Sequence, residues 1–157
     1  MDINNTPKYI SSTLNFSKWI IDNANEIANA CKWASIKYIH KPYVIKRGSK
    51  MVVEVRIAHS DDTTTCIFCQ VANSGLPFAA IMESQILFQS VACGTMSGNF
   101  HAVIASPNID KKLIDATKAE QYPISFLKLS PDKCIYWKSD VQVVCENLNF
   151  TNVTIID

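Results

Sequence analysis

The sequence predicts an α+β fold, with antiparallel sheets in a sandwich-like arrangement, one long N-terminal helix and one shorter helix. Two observations lead to this prediction. Apolar residues recur at helical spacing near the N-terminus and in one short later segment, whereas most of the remaining chain is β-branched or alternates in polarity. No regular strand–helix–strand order is visible, and this favours antiparallel strands over a parallel sheet.

The size and composition predict one globular domain covering residues 1–157. The hydrophobic fraction is 48% and the charged fraction 18%, as in ordinary globular chains. The N-terminus is polar and has no signal-peptide pattern, and no apolar run approaches the roughly 20 residues of a membrane span. We therefore expect a protein of the cytoplasm, or one delivered to a host cytoplasm by a signal-free route.

The elements follow in chain order. A helix is predicted from about Ser12 to Ala34, followed by a hairpin around Arg47-Gly48-Ser49 and a β-branched strand from Thr63 to Ala72. The segment from Pro77 to Gln89 fits a short helix, a buried strand, or one after the other. Further strands are predicted at Phe100–Ala105, Ile124–Leu129, Cys134–Lys138, Val141–Glu146 and Val153–Ile156, with a short helix at Lys111–Gln121.

Charge argues against several classes of partner and ligand. The formal net charge is +1, which gives no general attraction to nucleic acid or to anionic membranes. Basic residues are interleaved with Tyr38 and Tyr43, but at this net charge we interpret them as a solvated sheet edge or loop rather than a nucleic-acid strip. These basic residues are Lys37, Lys41, Lys46, Arg47 and Lys50. The chain has four glycines and no glycine-rich loop, which argues against a nucleotide site. We expect no cofactor.

The six cysteines are expected to be free thiols. Cys66 and Cys69 lie in a predicted strand, where positions three apart point to opposite faces, and no second ligand pair completes a zinc site. If Ser139-Asp140 is a two-residue hairpin loop, Cys134 faces Cys145 at a hydrogen-bonded pair, whose wider spacing suits a disulfide less well. His40 and His59 are interpreted as surface residues.

One cysteine and one histidine form the candidate catalytic pair. Apolar strands flank Met96-Ser97-Gly98, and a three-residue hairpin loop there places Cys93 directly opposite His101. An imidazole beside a thiol favours the reactive thiolate. A two-residue loop at Ser97-Gly98 would instead place the two side chains on opposite faces, and both would then be packing residues.

This segment resembles the core of the bacterial Cys–His glutamine deamidase toxins, most closely the Burkholderia lethal factor type and more distantly the cytotoxic necrotizing factors. The resemblance covers about Leu87 to Pro107, with Ser90-Val91-Ala92-Cys93 at the position of the toxins' Leu-Ser-Gly-Cys motif. It implies a hydrolase that deamidates a glutamine of a protein substrate through a thioester, with Cys93 as nucleophile and His101 as base. The same pair would equally serve a thiol protease or a transglutaminase, because both pass through the same acyl-enzyme.

Other groups near the pair complete the predicted site. Backbone N–H groups around Cys93 and Gly94 are the expected oxyanion donors, because no Arg or Lys lies nearby in sequence. The resemblance implies that a polar group orients the histidine, and Gln89 and Ser90 are the nearby candidates. No metal is needed for this chemistry.

A second hypothesis comes from a different functional class. A non-enzymatic protein-binding module, such as an immunity protein or a phage-encoded inhibitor, fits the size and the near-neutral charge equally well. In such a protein Cys93 and His101 serve packing alone. A protein partner is expected under either hypothesis.

Overall fold

The computed structural model describes residues 12–72, 74–117, 124–130, 133–138 and 141–146. The predicted strand at Val153–Ile156 lies outside these residues, as does the end of the helix predicted to reach Gln121. The helices are α1 (Thr13–Asp22), α2 (Ala24–Ala30), α3 (Phe78–Ala92) and α4 (Lys111–Thr117). The strands are β1 (Ile36–Ile39), β2 (Tyr43–Arg47), β3 (Lys50–His59), β4 (Thr64–Cys69), β5 (Phe100–Ser106), β6 (Ile124–Ser130), β7 (Lys133–Lys138) and β8 (Val141–Glu146).

The eight strands form a single mixed sheet in the order β1-β3-β4-β5-β6-β7-β8, with β2 paired beside β1 on the edge of β3. The α+β class is therefore confirmed, but the antiparallel sandwich is not found. Strands β4, β5 and β6 run parallel, because α3 and α4 provide the crossovers between them. The remaining pairs are antiparallel.

Each face of the sheet carries its own apolar layer. Side chains alternate along each strand, so Cys66 and Phe68 pack on one face while Ile67 and Cys69 pack on the other. Helices α1 and α2 cover the face that carries Ile67, which we call the α1 face. Helix α3 covers the face that carries Phe68, which we call the α3 face. The prediction that the two thiols of the C-x-x-C pair diverge is confirmed.

The predicted long N-terminal helix is divided into two. Ser12 caps α1 by accepting a hydrogen bond from the Asn15 N–H at 3.1 Å. The helix ends at Asn23, whose side-chain amide donates to the carbonyl of Trp19 at 2.8 Å. A side-chain bond of this kind competes with the main-chain ladder, and α2 begins at the next residue.

Helix α3 replaces one strand of the predicted Cys93–His101 hairpin. It runs without interruption to Ala92 and ends in a Schellman motif at Gly94, whose φ of +77° suits glycine. In this motif the Gly94 N–H donates to the Val91 carbonyl at 3.1 Å and the Thr95 N–H to the Ser90 carbonyl at 3.0 Å. The hairpin prediction was therefore wrong. The segment before Gly94 is a helix that ends there, and not a strand that leads into a turn at Gly98.

Two antiparallel hairpins agree with the sequence. Arg47 pairs with Lys50 across the turn between β2 and β3, where the Arg47-Gly48-Ser49 signal predicted it. Cys134 pairs with Cys145 between β7 and β8, in the predicted register. Cys134 is buried.

Candidate functional site

Cys93 lies at the exposed C-terminal end of α3 rather than in a strand. Its own N–H donates to the Gln89 carbonyl at 2.9 Å, and the next N–H, that of Gly94, is bonded to Val91. Both predicted oxyanion donors are therefore occupied by the end of the helix. A thiol in this position has no preformed oxyanion site of the kind a thioester mechanism needs.

His101 lies on β5 and faces the opposite side of the sheet. Its strand neighbours on the same face, Val103 and Ala105, belong to the α1 layer, whereas α3 and its cysteine end pack on the other face. The imidazole Nε2 is 3.0 Å from both Ser125 Oγ and Tyr136 Oη. The structure therefore does not bring Cys93 and His101 together.

The two predicted orienting residues also lie on α3. Gln89 is exposed, and Ser90 lines a cleft between α3 and the β2–β3 hairpin. The Ser90 carbonyl accepts hydrogen bonds from the N–H and the hydroxyl of Thr95. Neither residue contacts the imidazole through any described hydrogen bond.

The actual neighbours of His101 form a polar row across one end of the α1 face. The row consists of five side chains on five adjacent strands, His59, Thr65, His101, Ser125 and Tyr136. The Trp33 ring covers them, with its centroid 6.2 Å from His59, 6.1 Å from His101 and 6.0 Å from Tyr136. All three ring pairs meet edge to face, an arrangement favoured by aromatic quadrupoles.

Hydrogen bonds hold both ends of this row. The Ala34 carbonyl lies 2.8 Å from His59 Nδ1 and only accepts, so Nδ1 carries a proton. The other ring nitrogen, Nε2, lies 2.6 Å from the Thr65 hydroxyl. At the other end, Trp33 Nε1 donates to Tyr136 Oη over 3.3 Å. Burial raises the pKa of the Tyr136 phenol, which keeps its hydrogen available for donation.

His59 is 2% exposed, so its interpretation as a surface residue was wrong, whereas His40 is exposed as expected. A cavity of about 220 Å³ adjoins the row and is lined by residues that include His59, Thr65 and His101. Both ring nitrogens of His59 are used within the protein. The network is best explained as a satisfied polar layer that anchors Trp33 to the sheet.

The most exposed apolar residues of α3 lie on one stripe. Phe78, Met82 and Ile86 follow one another at four-residue intervals and are 55%, 45% and 40% exposed. Residues four apart lie on the same face of a helix. The next face of the same helix, which includes Ala79 and Glu83, is buried. An apolar stripe exposed beside a packed face is typical of interaction surfaces.

This stripe borders a groove between α3 and the β2–β3 hairpin. The groove has two clefts, an inner one of about 420 Å³ lined by residues that include Ile86 and Tyr43, and an outer one of about 940 Å³ lined by residues that include Phe78 and Met82. Arg47 on β2 is paired with Glu83 on α3, and this ion pair lies between the two clefts.

The wall of the groove opposite α3 carries exposed basic side chains. Lys41 lines the inner cleft, and Arg47 and Lys50 line the outer one. Residues 37–50 contain no Asp or Glu, but Lys46 pairs with Met51 on the α1 face and so points away from the groove. Tyr43, at 67% exposure, lies on the groove side. Within the described residues β2 pairs with β3 alone, so its outer edge is open. The wall therefore presents positive charge, an aromatic ring and an unpaired strand edge together.

Two buried carboxylates lie inside the inner cleft. Glu54 is 8% exposed and Glu83 is 7% exposed, and each is paired with one arginine, Arg56 and Arg47 respectively. Burial alone would lower the pKa of Arg56, but its hydrogen bond to Glu54 and the charge of that carboxylate outweigh burial and leave the pKa raised. The buried charges of the cleft are thus compensated by arginines.

Three charged residues of the cleft were not predicted from the sequence: Glu54, Arg56 and Glu83. A signal was present, because Glu54 and Arg56 interrupt the apolar strand from Met51 to Ala58 at positions two apart, which share one face. Charged residues on the inward face of a strand need partners. The sequence contained no indication that α3 would bring Glu83 to the same cleft.

The buried thiols of Cys66 and Cys69 have low reactivity. Burial, followed by the charge of Glu54, raises the pKa of Cys66 to about 12. Burial likewise raises the pKa of Cys69. Thiolates are therefore scarce at both positions at neutral pH.

No protein-family model, curated protein or solved structure matches the chain. Among the described residues, no group of three or more His, Cys, Asp or Glu side chains is placed to hold a metal ion. The described helices include none with the length and apolar character that crossing a bilayer requires.

Proposed function

We propose that the protein is a non-enzymatic protein-binding module, which holds an acidic segment of a partner protein in the groove between α3 and the β2–β3 hairpin. The observation that carries this proposal is the pairing of an exposed apolar stripe with a basic wall across one groove. Apolar contacts supply binding energy at such a surface, and complementary charge supplies specificity and fast association.

Two features favour an acidic protein segment over a nucleic acid. The groove carries Phe78, Met82 and Ile86 along one wall, which suit apolar side chains rather than a phosphate backbone. The formal net charge of +1 also provides little long-range attraction for a polyanion.

Deamidation has less support in the geometry. That hypothesis needs a base and oxyanion donors at the Cys93 thiol, whereas His101 is bonded to Ser125 and Tyr136 on the other face of the sheet. The exposed Cys93 also ends the helix that forms one wall of the groove. A binding surface uses this helix without any requirement for the thiol.

A display selection tests the proposal. Wild-type protein is used to select from a library of random 16-residue peptides, and the same selection is repeated with Met82→Asp and with Leu113→Asp. Leu113 is 41% exposed on α4 and is the matched control for Met82. We expect wild type and Leu113→Asp to enrich acidic peptides with interspersed apolar residues, and Met82→Asp to lose them.

Two results would overturn the proposal. One is enrichment of peptides without net negative charge, and the other is identical enrichment by all three proteins. Preferential binding of single-stranded DNA or RNA over the selected peptides, abolished by Met82→Asp, would assign the groove to nucleic acid instead.

A further inference from the structure

The inner cleft contains an arginine whose guanidinium is only partly used within the protein. Arg56 lies on β3, and 34% of its side chain is exposed, against 10% for its partner Glu54. A guanidinium has five N–H donors. The Nε–H of Arg56 is bonded to Glu54 Oε1, and its terminal N–H groups have no hydrogen-bond partner among the described residues.

Neighbouring groups hold this guanidinium in one orientation. Glu54 and Arg56 are two apart on β3, so both side chains project from the α3 face. The Arg56 Cζ also lies 5.8 Å from the ring centroid of Phe100, within the range of a cation–π contact. An arginine fixed on one side by a carboxylate and by an aromatic ring loses little further entropy when it binds a ligand.

The remaining walls of the cleft are mostly apolar. They include Ile45, Leu87 and Met96, which are suited to a short hydrocarbon body. The cleft volume of about 420 Å³ lies within the range for small-ligand sites.

The charged side chains of the cleft indicate which polar group a ligand with a short hydrocarbon body would carry. Glu54 and Glu83 line the cleft but are buried and paired with arginines, whereas Lys41 is exposed and Arg56 is half-buried. A ligand entering from solvent therefore meets positive charge first. Two terminal N–H groups of an arginine also match the two oxygens of a carboxylate.

We infer that the Arg56 cleft binds a carboxylate attached to a short apolar body. The assignment of this carboxylate to an acidic side chain of a docked segment rests on the proposed function. The site itself does not, because a free carboxylic acid has the same chemistry.

Hexanoate is a suitable probe, with hexanamide as its uncharged analogue. Both are titrated into the whole protein, and binding is followed by NMR through the methyl signals of Met96 and Leu87. We expect hexanoate to shift both signals at least ten times more strongly at a given concentration than hexanamide does. Equal responses to the two ligands would overturn the inference.

Substitutions locate the interaction at the guanidinium. Arg56→Gln should raise the hexanoate Kd at least tenfold, and Arg56→Lys should raise it severalfold because an ammonium cannot bind both oxygens in the same way. Since Arg56→Gln leaves the buried Glu54 unpaired, Glu54→Gln/Arg56→Gln is the second variant, which removes both charges. Lys18→Gln, on α1, is the control for loss of a positive charge. Wild-type affinity for hexanoate in either arginine-to-glutamine variant would contradict the assignment of Arg56 as the group that binds the carboxylate.

The same variants separate this inference from the proposed function. A selected acidic peptide and its Glu-to-Gln version are titrated in parallel with hexanoate. Hexanoate binding that depends on Arg56, with no peptide binding, would retain the carboxylate site for free acids and reject the docking groove. Peptide binding that is unchanged in Arg56→Gln, with no hexanoate binding, would reject the carboxylate site and retain the docking groove.

Discussion

Arg47 and Glu83 join the two walls of the groove: the Arg47 Nε lies 2.7 Å from the Glu83 Oε1. Arg47 belongs to the hairpin and is 59% exposed in its side chain, whereas Glu83 belongs to α3 and is 7% exposed. The ion pair ties the edge strand β2 to the helix. Residues 37–50 contain no Asp or Glu, so the lysines of this segment have no acidic partner within it.

Charge reversal at the lysines that line the groove should weaken partner binding. Lys41 lines the inner cleft and Lys50 the outer one, so Lys41→Glu/Lys50→Glu replaces two attractions for an acidic segment with two repulsions. Each exposed pair contributes about 0.2–1 kcal/mol, so the double reversal should weaken binding about tenfold, or more at low salt. Isothermal titration with a selected acidic peptide at two salt concentrations measures this. Lys18→Glu/Lys112→Glu is the control, and an equal loss in both variants would show that only net charge matters.

Cys93 should be the most rapidly labelled of the five cysteines whose burial is described, because it is exposed and the other four are buried. The high pKa of Cys66, about 12, makes that thiol slower still. Iodoacetamide labelling at neutral pH, followed by peptide mass spectrometry, gives the order. His101→Ala should leave the Cys93 rate unchanged. A marked slowing in that variant would return the two residues to a common site and revive the deamidase hypothesis.

Thr65→Val should destabilise the fold by about 1–3 kcal/mol, because it removes the hydroxyl that is hydrogen-bonded to Nε2 of the buried His59. Thr64→Val is the matched control, since the same change one residue earlier on β4 falls on the opposite face, where Thr64 is only half-buried. Urea unfolding of the two variants should therefore differ. Equal midpoints would show that the His59 bond contributes nothing to stability.

Gly94→Ala should cost about 1 kcal/mol of unfolding free energy. The φ of Gly94 is +77°, and a Cβ added there meets no atom within 4 Å, so the cost arises from backbone conformation alone. Gly94→Asn should cost less, because asparagine tolerates the left-handed region. Urea denaturation measures both. An unchanged alanine variant would contradict the Schellman ending of α3.

Local patterns predicted the features that depend on neighbouring residues. The alternation within a strand was sufficient to separate Cys66 from Cys69, and a two-residue loop was sufficient to place Cys134 opposite Cys145. Helix α3 was harder, because its exposed stripe is apolar as well as its buried face, so no amphipathic period distinguishes it from a strand.

The site depends on contacts that no local pattern contains. The polar row draws His59 and Ser125 from strands separated by more than sixty residues of chain, and the parallel order of β4, β5 and β6 brings them to one face. The groove likewise forms because α3 packs against the β2–β3 hairpin, from which it is separated in the chain by β4. Burial of Glu83 beside Arg47 is a consequence of this packing, and the sequence shows only a glutamate in an apolar helix.

Hydrogen–deuterium exchange with the tightest selected acidic peptide tests the central claim most directly, because it shows where the partner lies. The peptide should slow exchange in residues 43–50 of the hairpin and 78–90 of α3, and leave residues 111–117 of α4 unchanged. Met82→Asp should abolish this protection, and Leu113→Asp should preserve it. Protection confined to other segments, or protection that persists in Met82→Asp, would contradict the assignment of the groove as the binding surface.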